Sequence, residues 1–407
     1  MKYANRFFSL LALAGYLLIV TGCGQTSNCS GITFGGGGSS GGGGGLSGSG
    51  NACSPGTGGN GGGGGGGGSN VDLLYFVGGG NDIDGASLNS SGIFASISGV
   101  TAPNIGTSSF SAPDIVIANK AFLYVPYRAN VNGSDQGFVA AYQINHSSGA
   151  LSNISGSPFS TGTSGADSAA LDPKGRFLFV GDQVSGAVSS FQINSSTGAL
   201  TPSPGSPLVD PSTGPIEMTV DGTGNFLYFV QGSLSGDAIE YLIDQNTGAL
   251  SPGGVFFVRA SRIRTESTGK FLFAVGGSSG GIDVYSIQTG TGNLAFQASF
   301  PTATSCYDMT VSPNGQFLYA FAKAGQTPEK LQGFSIDVNG VLTNLPGSPF
   351  TTIPGQFAGQ FDQSGTHLFT YKLTGYSVLT VDPSTGIPTN PTPDLSVTST
   401  PFFAVTQ

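Results

Sequence analysis

The chain contains no tryptophan and only two histidines, and charged residues make up 9% of it. Two histidines are too few for a metal centre built on imidazole, so neither a metal nor any other cofactor is expected. Acidic residues outnumber basic ones by 22 to 13, a formal net charge of −9. That deficit excludes the basic face that nucleic acid binding requires. Long apolar runs are missing as well, apart from the stretch Phe7 to Val20, which is too short for a confident membrane span. What the chain has in excess is glycine, 69 residues, together with 29 phenylalanines and 13 tyrosines.

Lys2 and Arg6 precede the apolar stretch, which runs into Val20-Thr21-Gly22-Cys23. A charged start, a short hydrophobic core and small residues at its end form a signal peptide, expected over residues 1–22. The ending resembles the bacterial lipobox, and the resemblance implies cleavage before Cys23 and acylation of its thiol. An ordinary secretory signal with an incidental cysteine is the alternative. Each buried acyl methylene adds about 0.8 kcal/mol, so several chains on one residue would hold the protein on a membrane surface. Gly24 follows with no acidic retention signal, so an outer-membrane address is expected in a two-membrane cell. Between residues 24 and 70, 24 of 47 residues are glycine, and the expectation over residues 23–70 is a disordered tether. Cys29 and Cys53 within it could pair in an oxidising compartment, and nothing in the sequence decides this.

From residue 71 onward, short runs of Phe, Leu, Tyr and Val alternate with Gly, Ser, Thr, Asn and Pro, an all-β pattern. The runs repeat. Phe177-Leu178-Phe179-Val180, Phe226-Leu227-Tyr228-Phe229, Phe271-Leu272-Phe273-Ala274, Phe317-Leu318-Tyr319-Ala320 and His367-Leu368-Phe369-Thr370 each follow a turn closed by Gly175, Gly224, Gly269, Gly315 or Gly365. Phe122-Leu123-Tyr124-Val125 opens a further copy, and Leu74-Tyr75-Phe76-Val77 opens one with no first strand before it. Pro401 to Gln407 reads as that missing strand. Four strands per unit of about 45 residues, closed in this way, predict a seven-bladed β-propeller of four-stranded antiparallel blades over residues 71–407. Closure would also hide strand edges that invite aggregation. The lack of tryptophan argues against the WD40 and kelch types, and a monomer is expected.

The Ser-Pro-Asn-Gly-Gln-Phe-Leu-Tyr-Ala segment from Ser312 to Ala320, matched by Asp172 to Val180, resembles the lactonase-type propellers related to 6-phosphogluconolactonase. It is also similar to bacterial YVTN-repeat surface propellers. The resemblance implies hydrolysis of a sugar lactone, and in such relatives an arginine and a histidine precede first strands. Here the matching segment is Gly214-Pro215-Ile216-Glu217, and Asp167 stands at the other histidine position. Both substitutions speak against a straightforward transfer of that activity.

Alignment of the first strands on their turns brings out another group of residues. Four residues before each turn stand Ser168, Glu217, Arg262, Asp308 and Ala358, and two further along stand Ala170, Thr219, Arg264, Thr310 and Gln360. First strands lie nearest a propeller's axis, so Glu217, Arg262 and Asp308 should form an acid-base-acid arc there, with Arg264 adding a second cation. The plainer reading is that these charges pair across blade interfaces. The functional reading gives Arg262 and Arg264 an anion or oxyanion to hold, with Glu217 or Asp308 as base and Thr219 and Thr310 as ligand contacts. Arg128, at the loop face formed by Gly78 to Gly92, Pro126 to Gly137 and Ala322 to Lys330, and Asp167, at the histidine position that the resemblance implies, are further ligand-binding candidates. His146 reads as a turn residue, His367 as a strand start and Cys306 as a small buried hydrophobe. Asn81 to Gly85 carries two carboxylates but lacks the remaining ligands of a calcium loop. Two functions stand side by side: a surface-displayed module that binds a small molecule or an envelope protein, and a lactone hydrolase.

Overall fold

The computed structural model describes residues 72–78, 83–89, 93–97, 115–210, 214–231, 236–276, 280–303, 305–322, 330–350, 357–372, 375–389, 394–396 and 399–405. The expected signal peptide, Cys23 and the tether lie outside them. The described residues form seven antiparallel sheets, the blades. Blade 1 joins Asp72–Gly78, Ile83–Leu88 and Phe94–Ser96 to the C-terminal strand Ser399–Val405, with Tyr75 opposite Ala404 and Phe76 opposite Phe403. The innermost strands of blades 2 to 7 are Val116–Ala118, Ser168–Leu171, Pro215–Val220, Arg262–Thr265, Cys306–Val311 and Ala358–Phe361. Each touches the next, and Ser399–Val405 touches both Val116–Ala118 and Ala358–Phe361, so the ring is closed by the C-terminal strand as expected.

The Phe-Leu-Tyr-Val repeat explains the ring. A second strand is sandwiched between neighbouring blades, so both of its faces must be apolar, unlike a strand with one wet face. In blade 3, Leu178 and Val180 face blade 2, while Phe177 and Phe179 face blade 4. Each of the seven hydrophobic clusters spans one pair of neighbouring blades. Burial of one such phenylalanine or leucine contributes roughly 1.5–3 kcal/mol.

Polar interlocks fix the spacing of the blades. The buried Tyr75 hydroxyl donates to the Gly149 carbonyl in blade 2, and Tyr124 donates to Gly198 in blade 3, both at 2.7 Å. Tyr228 to Gly292 and Tyr319 to Gly386 repeat the contact. Blade 3 has Phe179 at this position, and there Ser190, its cross-strand partner, donates to the Gly248 carbonyl instead. Gly198 has φ of +70°, and a Cβ on it would stand 2.4 Å from the Phe122 ring, so the turn needs glycine for both conformation and clearance. Since Tyr75 does in blade 1 what Tyr124 does in blade 2, the first repeat begins at Leu73, one residue before the expected Leu74.

The turn-opening residues are buried acceptors. Asp221 Oδ1 accepts from the Asn225 and Phe226 amides at 2.8 Å, and Asp362 Oδ1 accepts from the His367 amide at 3.0 Å. Outer strands break at Gly-Ser-Pro, where the Ser157, Ser206 and Ser348 hydroxyls accept the third-strand amides of Ala141, Ser190 and Gly333. Two expected loops are shorter than read. Ile83–Leu88 is a strand, and the stretch from Pro126 to Gly137 is mostly hairpin, with Phe122–Val131 paired to Ser134–Ile144. The charges read there as loop charges lie on an extended ladder. The third expected loop lies largely outside the described residues.

Candidate functional site

The first strands converge on an axial cavity of about 410 Å³ to which all seven blades contribute. One side is uncharged and mostly apolar or small, from Val116, Ala169, Ala358 and Phe403, with Gln360 its polar member. The other carries Glu217, Arg262, Arg264, Tyr307, Asp308 and Thr310. Both carboxylates follow a local irregularity. In blade 4 the register shifts between Pro215 and Glu217, and in blade 6 between Cys306 and Asp308. The extra residue of a bulge re-aims its neighbours. In blade 6 it leaves Tyr307, 42% exposed, on the cavity wall.

The expected arc forms, with its order changed. Arg264 is the central cation: its Nη1 meets Glu217 Oε1, and its Nη2 lies 3.4 Å from Asp308 Oδ1. Arg262 Nη1 lies 3.5 Å from Glu217 Oε2, and its guanidinium sits 5.5 Å from the centre of the Tyr307 ring. Each arginine also donates to the carbonyl that precedes it, Arg262 to Ser261 at 3.2 Å and Arg264 to Ile263 at 2.8 Å. Burial pulls the Arg262 pKa down, but Glu217 and Asp308 outweigh it and hold it above the ordinary value. Burial pushes the Asp308 carboxyl above the usual carboxylate range, with the Glu217 charge adding to it against the pull of both arginines. Asp308 Oδ1 accepts the Met309 amide at 2.8 Å. The Arg264 and Met309 contacts both fall on Oδ1, and Asp308 is part of the cavity wall.

Other expected site residues fall elsewhere. Arg128 and Asp167 pair at 3.2 Å between blades 2 and 3 and do not line the axial cavity. Asp167 also accepts the Gln183 amide at 2.9 Å, which explains its burial. Thr219 bonds Thr265 at 3.2 Å across the blade 4–5 interface, whereas Thr310 does line the cavity. Ser168 is buried and donates to the Pro215 carbonyl. Cys306 is buried, and burial pushes its thiol well up, so it is no nucleophile. His146 is exposed in its turn. His367 is more than a strand start: its Nδ1 lies 2.7 Å from Asp72 and 3.4 Å from Asp362, across the seam between blades 7 and 1. Tyr307 was not among the expected site residues, because alternation places it on the far face and only the bulge returns it.

Sequence and structure comparisons agree with this architecture. The family described as lactonase, 7-bladed beta-propeller, matches residues 74–214. That match spans blades 1 to 3, so the charged arc of blades 4 to 6 lies beyond it. No curated protein matches the chain by sequence. Among solved structures, a Bacteroides uniformis protein provisionally assigned as a 6-phosphogluconolactonase superposes with a TM-score of 0.64 at 16% identity, over 82% of this chain and 99% of its own. A Lactobacillus plantarum protein gives the same values. The periplasmic gluconolactonase of Pseudomonas aeruginosa gives 0.60 at 16% identity, over 82% and 98%. At such identities the likeness is one of fold.

Proposed function

We propose that the axial cavity opens the ring of a sugar lactone by hydrolysis. The observation that carries this reading is Asp308: a carboxylate on the cavity wall, its pKa raised by burial, beside two arginines that both face Glu217. Asp308 Oδ2 takes a proton from water as the water oxygen attacks the lactone carbonyl carbon. Arg262 and Arg264 hold the oxyanion that forms, in a cavity where burial strengthens their field. As the carbon–oxygen ring bond breaks, Asp308 returns the proton to the ring oxygen, giving the open hydroxy acid. Glu217 acts as a positioning residue, since both of its oxygens face guanidinium groups. The likeness to lactonase-type propellers supports the same reaction class.

The second reading is a binding module, favoured by the charge pairing itself, because a salt-bridged arc is a sufficient structural reason for these residues. An assay of sugar-lactone opening on the purified chain, with Arg262→Ala and Glu217→Ala alongside, separates the two. Turnover above buffer that falls in both variants supports hydrolysis. Absence of turnover leaves the binding module, and turnover unchanged in both variants moves the site elsewhere.

We further propose that the propeller is exported and held at the cell envelope by lipid on Cys23, as an outer-membrane protein in a two-membrane cell. The charged start, apolar core and Val20-Thr21-Gly22-Cys23 ending support this. Cys23→Ser should release the protein from the membrane fraction, and retention there would count against it.

A further inference from the structure

The charge inventory of the cavity restricts the ligand, an inference that rests on the hydrolytic reading of the same site. Among the described residues lining the cavity, the cations are Arg262 and Arg264 and the anions are Glu217 and Asp308. Their formal charges cancel. Each guanidinium already faces at least one carboxylate. Arg264 spans both carboxylates, and Arg262 sits between Glu217 and the Tyr307 ring. The opposite wall, from Val116, Ala169, Ala358 and Phe403, offers no charge. Beyond the cavity, Arg128, Arg176 and Lys372 are each paired with an aspartate, Asp167, Asp172 and Asp394, and the remaining described cations, Lys120, Lys174, Arg259, Lys270 and Lys330, do not line the cavity. A phosphate monoester carries close to two negative charges at neutral pH and is recognised by convergent Arg or Lys donors whose charge is not already balanced. Here it would have to displace a buried carboxylate from its arginine, inside a chain of net charge −9, where the wider field also opposes anions.

We infer that this chain acts on an uncharged polyhydroxy lactone and discriminates against the phosphorylated sugar lactone. The apolar wall and the Tyr307 ring suit the carbon face of a sugar ring, and the charged arc suits its hydroxyls and carbonyl.

The test compares glucono-1,5-lactone with its 6-phosphate on the purified full chain. The expected result is a kcat/KM at least 10-fold higher for the neutral lactone. Equal values, or a preference for the phosphate, overturn the inference. If neither is opened, the hydrolytic reading fails by itself, and binding decides the present point. Calorimetric titration with gluconolactam, a neutral lactone isostere, and with 6-phosphogluconate should then show binding of the lactam alone. Binding of the phosphate alone, of both equally, or of neither overturns the inference. Glu217→Gln gives the cavity one uncompensated positive charge and should narrow the difference between the two ligands at least 3-fold. An unchanged ratio in a folded variant contradicts the charge argument.

Discussion

The two sides of the axial channel are built from the same strand of the same repeat, yet only one of them carries charge. On the side of blades 1 to 3 and 7, the innermost strands present Phe403, Val116, Ala169 and Ala358. On the side of blades 4 to 6 they present Glu217, Arg262, Arg264, Tyr307 and Asp308, two of the three strands being bulged just before their carboxylates. The blade interfaces share aromatic cores around the whole ring, and four of them share a tyrosine-to-glycine interlock, whereas the charges are confined to one side of the axis. A repeat fixed by interface packing leaves its innermost strand free to vary, and here the variation is concentrated on one side.

The difference can be broken most severely at Asp308. Asp308→Asn keeps the size of the side chain and its bond from the Met309 amide but removes the base, and lactone opening should fall about 100- to 10,000-fold with the melting temperature little changed. Arg264→Ala should be the largest single loss of stability on the charged side, about 3 kcal/mol by denaturant unfolding, because it leaves Glu217 and Asp308 facing each other with one arginine fewer. Ala169→Ser, on the bland side, should cost far less. Tyr228→Phe tests the uniform part of the ring. It strips the buried Gly292 carbonyl of its donor, and a loss of about 1 kcal/mol is expected.

An effect of similar size, but dependent on pH, is expected at the seam. Blades 2 to 6 begin their second strands with Phe122, Phe177, Phe226, Phe271 and Phe317, whereas blade 7 has His367 against Asp362 and Asp72. Those carboxylates, Asp362 foremost, raise the His367 pKa to about 9. The folded value lies above the ordinary 6.5, so the stabilisation is complete below about pH 6.5 and is lost as pH rises through 9. Solvent screening of a part-exposed ring reduces it to roughly 1 kcal/mol. Melting curves between pH 6 and 10 should show this slope in the wild type and not in His367→Phe.

The ring was readable from sequence because its signal is repeated. Phe-Leu-Tyr-Val segments at regular intervals report interfaces that every blade shares, and the C-terminal Phe403-Ala404-Val405 fits the gap in blade 1. The arc was readable in its membership, since first strands can be aligned on their turns. Its geometry was not. Alignment on the turns gives Arg262 as the central cation, because side-chain reach is not read from register, and alternation hides Tyr307, which sits at the irregularity between Cys306 and Asp308. Arg128 was read as a loop charge and Asp167 by its match to a family position, whereas the fold uses them to join blades 2 and 3. His367 escaped because its partner Asp72 lies at the other end of the propeller sequence and meets it only on closure.

The most direct test of the account is a crystal structure of the protein soaked with gluconolactam. The account predicts the lactam in the axial cavity, its carbonyl oxygen within hydrogen-bond reach of Arg262 or Arg264 and its carbonyl carbon beside Asp308 Oδ2. A lactam bound elsewhere, with the axial cavity left to solvent, would contradict it.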